Sequence, residues 1–196
     1  MFIHIKYNLR TMKTKFKNLK SYELIYLGLS IAVILLFFCM SISPKGLSAN
    51  DGLSYFGGRG WSIIPYTFAF LVYALFCWLA SNKIKPTNKR SKAIKLLLRI
   101  MAILLFGLVI TPHTLVDPIH TFFGTTLFSM QLIVSIWLAF GVNKSPVVFV
   151  LLLIMLVSGL FCAYYLPLKD GFLLQAQIIY QIAFAGILVY FLKKLK

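Results

Sequence analysis

Most of the chemistry open to this 196-residue chain rests on three aspartates, two histidines and one arginine. Asp51, Asp117 and Asp170 each fall in a gap between long apolar runs, His113 and His120 flank Asp117, and Arg59 stands in Gly57-Gly58-Arg59-Gly60. Carboxylates and imidazoles hold metals or move protons, and a guanidinium holds phosphate or carboxylate. The densest cluster is His113-Thr-Leu-Val-Asp117-Pro-Ile-His120. On an unbroken helix, positions 113, 117 and 120 would share a face and could begin a metal site. Pro112 and Pro118 argue against an unbroken helix, and Asp117-Pro118 reads as an N-cap followed by the first helical residue. Asp117 would then accept a hydrogen bond from the N–H of Ile119 or His120. Capping is the preferred reading, with His113, Asp117 and His120 kept as candidate metal ligands; no metal or cofactor is assigned.

Arg59 lies at the end of a gap that begins at Pro44. Asn50-Asp51-Gly52 is a turn signal there, and the glycines around Arg59 widen the backbone's choices. Arg59 with nearby N–H groups could hold an anion, but the plainer expectation is a flexible cap with a solvated arginine. Gln131, Gln177 and Gln181 fall inside apolar runs. Helical geometry puts Gln177 and Gln181 on one face and Gln175 nearly opposite, with Gln181 ~14 Å along its helix. Buried glutamines usually bond helix to helix, and a polar pathway is the alternative. There is no phosphate-binding loop, His-Glu-x-x-His, Gly-x-Ser-x-Gly or Cys-x-x-Cys.

What would position these residues is a set of six apolar segments. The composition is 60% hydrophobic and 12% charged, more apolar surface than one aqueous core of this size can hide. Spans are expected over about 24–43, 61–80, 96–111, 118–140, 146–166 and 172–192, each near the ~20 residues that cross a bilayer. The first run is read as a retained helix; Ser41-Ile42-Ser43 only faintly resembles a signal cleavage site. The third is the shortest and carries Arg99, expected about one turn in and snorkelling to the interface. Ser81 to Lys95 is expected to be a mobile basic loop. Cys39, Cys77 and Cys162 all lie in apolar runs, where cysteine acts as a small hydrophobe, so no disulfide framework is indicated.

The net charge of +16 does not point to nucleic acid, because the basic residues sit between spans. Seventeen of the 20 lysines and arginines fall on one side of a six-span layout, and only Lys45, Arg59 and Lys169 on the other. The positive-inside rule then puts both termini in the cytoplasm. The expected class is all-α: a six-helix polytopic membrane domain over 24–192, a basic leader over 1–23 and a basic tail over 193–196. A multi-pass cell-membrane location follows, a bacterial inner membrane suiting the short loops.

The small-residue loop Ser48 to Trp61, the acidic and histidine-bearing entry Asp117 and His120, and the cytoplasmic termini resemble the six-helix membrane families of the Frag1/DRAM/Sfk1 and DUF998 kind. That resemblance covers most of the chain and implies a role in membrane or lipid organisation. Three functional readings stand in order. The first is a non-catalytic protein that binds membrane lipid, or a protein partner, through an outer polar cap. The second is an intramembrane metal-dependent hydrolase acting on lipid. The third is a small transporter with Gln131, Gln177 and Gln181 along its path.

Overall fold

The computed structural model describes residues 18–48, 51–141, 145–168 and 172–194. Six helices dominate: α1 (Ser21–Ile42), α2 (Ile63–Lys83), α3 (Lys89–Ile110), α4 (Asp117–Gly141), α5 (Pro146–Leu168) and α6 (Leu173–Lys194). All six are long and apolar enough to cross a membrane. No strand occurs among the described residues. The leader up to residue 17, Lys144, Lys169 and Asp170 lie outside the described residues.

The helices pack as a ring. α1 contacts α2, α2 contacts α3, α3 contacts α4, α4 contacts α6, and α6 returns to α1. α5 lies outside this ring, against α4 and α6. The interior is filled by side chains such as Ile25, Cys77, Leu98, Met101, Leu138, Phe184 and Ile187. Every helix also turns bulky apolar residues outward. Ile34, Phe68, Ile103, Ile133, Leu160 and Ile182 are each more than half exposed.

The third helix departs most from expectation. It begins at Lys89, seven residues before Leu96, so much of the basic stretch expected as a loop is helical. Lysine and arginine interrupt an apolar run without disfavouring a helix, because their straight chains lose little freedom in one. A reciprocal cap fixes the start: Ser91 N–H donates to Asn88 Oδ1 at 2.8 Å, and Asn88 N–H donates to Ser91 Oγ at 3.0 Å. Lys95 is tied in as well, donating to the Ile84 carbonyl at 3.1 Å. The longer helix puts Arg99 well inside it, ~15 Å from the start at 1.5 Å per residue. Its guanidinium has the Trp78 ring 5.6 Å away, and its Nε is buried without a hydrogen-bond partner.

Candidate functional site

The end of the bundle where α1 joins α2 and α3 joins α4 carries a cap. The chain after α1 makes a 3-10 turn (Pro44–Ser48), a one-turn helix (Ser54–Gly57) and a second 3-10 turn (Gly60–Ser62) before entering α2. Glycine is required at Gly52, which has φ +58° and is crowded by Gln177. Where a flexible cap is expected, two side chains of α6 bond to the described residues of this segment. Gln177 Oε1 accepts from Leu53 N–H at 2.8 Å, and Gln175 Nε2 donates to the Leu47 carbonyl at 3.1 Å. The Ser62 hydroxyl donates to the Arg59 carbonyl at 2.7 Å, and Cys39, Tyr55, Phe56, Tyr66 and Leu174 form a small core beneath.

On this platform four sequence-expected residues meet. Arg59 Nη2 is 3.4 Å from Asp51 Oδ2, and its guanidinium carbon lies 4.8 Å from the centre of the Tyr55 ring. His113 stands between two carboxylates: Nε2 is 3.6 Å from Asp51 and Nδ1 is 3.3 Å from Asp117. Asp51, Ser54, Tyr55, Gly58, Arg59, His113 and Thr114 line a cleft of about 200 Å³. The Arg59 side chain remains 59% exposed, so most of its five N–H donors stay open to a ligand.

Asp117 does not cap α4 as expected. The first backbone bond of that helix runs from His120 N–H to the Val116 carbonyl, so the helix is entered one residue earlier. The Asp117 carboxylate turns to His113 and accepts from Thr121 Oγ1 at 3.2 Å. A partner able to carry charge attracts the carboxylate more strongly than a neutral N–H.

Below this layer His120 is buried, its ring stacked 5.9 Å from that of His113. Nδ1 lies 2.6 Å from the Thr111 carbonyl and Nε2 lies 2.8 Å from Ser54 Oγ. Both ring nitrogens are thus engaged within the protein. Among the described residues no group of three or more His, Cys, Asp or Glu stands close enough to hold a metal, the candidate trio His113, Asp117 and His120 included. Ser54 carried no signal in the sequence. It lies 66 residues from His120, with no motif around it, and only the fold brings the two together.

The glutamines of the apolar segments separate. Gln131 and Gln181 exchange two hydrogen bonds, at 3.2 and 3.1 Å, across α4 and α6. Gln177 instead serves the cap, so the three do not line one path. Asp170 lies outside the described residues. Comparison with protein-family models, curated proteins and solved structures yields no match to this chain.

Proposed function

We propose that this chain is a six-span membrane protein with both termini in the cytoplasm, and that its outer cleft binds the polar headgroup of a lipid. Membrane embedding is supported by the bulky apolar residues on the outward face of every helix, which water would penalise and lipid would not. The orientation is supported by the lysines and arginines gathered in 83–95 and at Lys193 and Lys194, against Lys45 and Arg59 in the cap. A bacterial inner membrane suits the short connections. The family resemblance implies a role in membrane or lipid organisation, and headgroup binding is of that kind.

The observation that carries the binding reading is the set of groups beside the cleft. It has one exposed guanidinium and, close by, the carboxylates of Asp51 and Asp117 with His113 between them. A guanidinium favours phosphate, and a carboxylate favours an ammonium group. Phosphoethanolamine carries both, so a zwitterionic phospholipid is the preferred ligand. The test is native mass spectrometry of the protein in mixed phosphatidylethanolamine micelles. Arg59→Ala should weaken retention of that lipid about tenfold, as for loss of one charged hydrogen bond. Folding should be unaffected, because an exposed ion pair contributes little. Equal retention by the wild type and the variant would remove the headgroup from this cleft.

A further inference from the structure

We propose that Ser54 and His120 form a nucleophile–base pair, and that the cleft carries out acyl transfer from a glycerolipid ester. The geometry fixes the direction of each proton. A carbonyl only accepts, so the 2.6 Å contact with Thr111 O puts a hydrogen on His120 Nδ1. In the neutral ring Nε2 then holds the lone pair, and the Ser54 hydroxyl donates to it at 2.8 Å. A serine bonded to an imidazole that is itself oriented by a third group is the arrangement that activates a hydroxyl. The Tyr66 phenol is also hydrogen-bonded to Ser54. A hydroxyl donates once and accepts twice, so Ser54 can accept from that phenol while it donates to His120.

A purely structural bond would serve as well in a sealed interior, but Ser54 lines the cleft that also holds Arg59 and His113. Its depth suits an ester. His120 lies three residues beyond Asp117, ~4.5 Å farther along the helix towards the apolar interior. A headgroup seated at Asp51 and Arg59 would place the glycerol esters below it, on the side of Ser54. The choice of a glycerolipid rests on the headgroup reading; the serine–histidine chemistry does not.

In the first step Ser54 Oγ attacks the ester carbonyl carbon as its proton passes to His120 Nε2. The carbon–oxygen bond to the glycerol then breaks, and the leaving oxygen takes the proton from His120. In the second step water attacks the acyl-Ser54 ester with His120 again accepting the proton; the bond to Oγ breaks, Oγ takes that proton from His120, and a fatty acid leaves with serine and imidazole restored.

The test uses the full chain in phosphatidylethanolamine nanodiscs with a long-chain alkyl fluorophosphonate, which phosphonylates an activated serine with loss of fluoride. Peptide mapping should find the adduct on Ser54. Ser54→Ala should abolish it, and His120→Gln, which keeps an acceptor for the serine but no base, should slow labelling at least about 100-fold. A folded wild-type protein with no adduct on Ser54 overturns the proposal, as does labelling of His120→Gln at the wild-type rate. The wild-type arm needs no variant, so it decides the matter even if His120→Gln fails to fold. Labelling without headgroup retention would keep the nucleophile and remove the phospholipid as its substrate. Retention without labelling would do the reverse.

Discussion

Gly28→Ala is expected to destabilise the bundle by about 3 kcal/mol, the upper end of the usual cost of overpacking a packed interior. A Cβ at Gly28 would stand 2.5 Å from Phe76 Cβ and 2.8 Å from Phe76 Cγ. The first of these atoms sits next to the backbone and cannot swing aside, so α1 and α2 must move apart. Phe76→Ala cannot rescue the change, because alanine keeps the offending Cβ. Gly124→Ala is the matched control. Its new methyl would meet only Leu108 Cδ2, at an ordinary 3.7 Å, and it gains helix propensity of roughly 0.5–1 kcal/mol. Unfolding by sodium dodecyl sulfate in mixed micelles, followed by circular dichroism, should show an early midpoint for Gly28→Ala and none for Gly124→Ala. Equal midpoints for the two variants would mean that α1 and α2 do not approach at Gly28.

The second large effect is expected at the glutamine pair. Gln131 is fully buried and Gln181 half-buried, and each donates to the other between α4 and α6. Gln131→Leu removes both bonds and leaves the Gln181 amide facing hydrocarbon side chains, at a cost of about 1–3 kcal/mol. Gln181→Leu strands Gln131 in the same way. The double Leu variant has no stranded group, so it should lose less than the sum of the two single changes. Interhelical hydrogen bonds in membranes contribute modestly, roughly 0.6 kcal/mol on average, so most of each single loss reflects the unpaired partner. The same denaturation assay reads all three variants. Additive losses would show that the two side chains are not bonded to each other.

These predictions depend on features of very different legibility. The six apolar segments could be read because outward-facing and core-facing positions are both hydrophobic, so length alone marks a candidate span. The start of α3 could not. Lys89, Arg90, Lys92 and Lys95 interrupt the apolar run, and the Asn88–Ser91 cap holds the extra turns without any hydrophobic signal. Proline and aspartate marked the entry to α4 to within a residue. The carboxylate's partner was missed because competition from His113 depends on where the 111–117 link folds.

The cap was harder still. Its glycines suggested freedom, whereas Leu47 and Leu53 are bonded by Gln175 and Gln177, more than 120 residues away along the chain. Local composition holds no trace of such contacts. The convergence of Asp51, Arg59, His113 and Asp117 was foreshadowed by their shared side of the layout, since the connections at one end of a small bundle have little room to spread. The Ser54–His120 bond was not, because serine is common in loops and hydroxyl activation depends on orientation alone.

In the proposed orientation the polar cap lies on the outer side of a bilayer, which would give its cleft access to lipid headgroups. Cysteine accessibility tests it most directly, with Cys39, Cys77 and Cys162 replaced by alanine. Leu115 is exposed in the link before α4, and Lys92 is exposed near the start of α3 at the opposite end of the bundle. In intact cells a membrane-impermeant maleimide should label Leu115→Cys, and should reach Lys92→Cys only after the membrane is permeabilised. Labelling of Lys92→Cys in intact cells, with Leu115→Cys protected, would invert the protein and contradict the account.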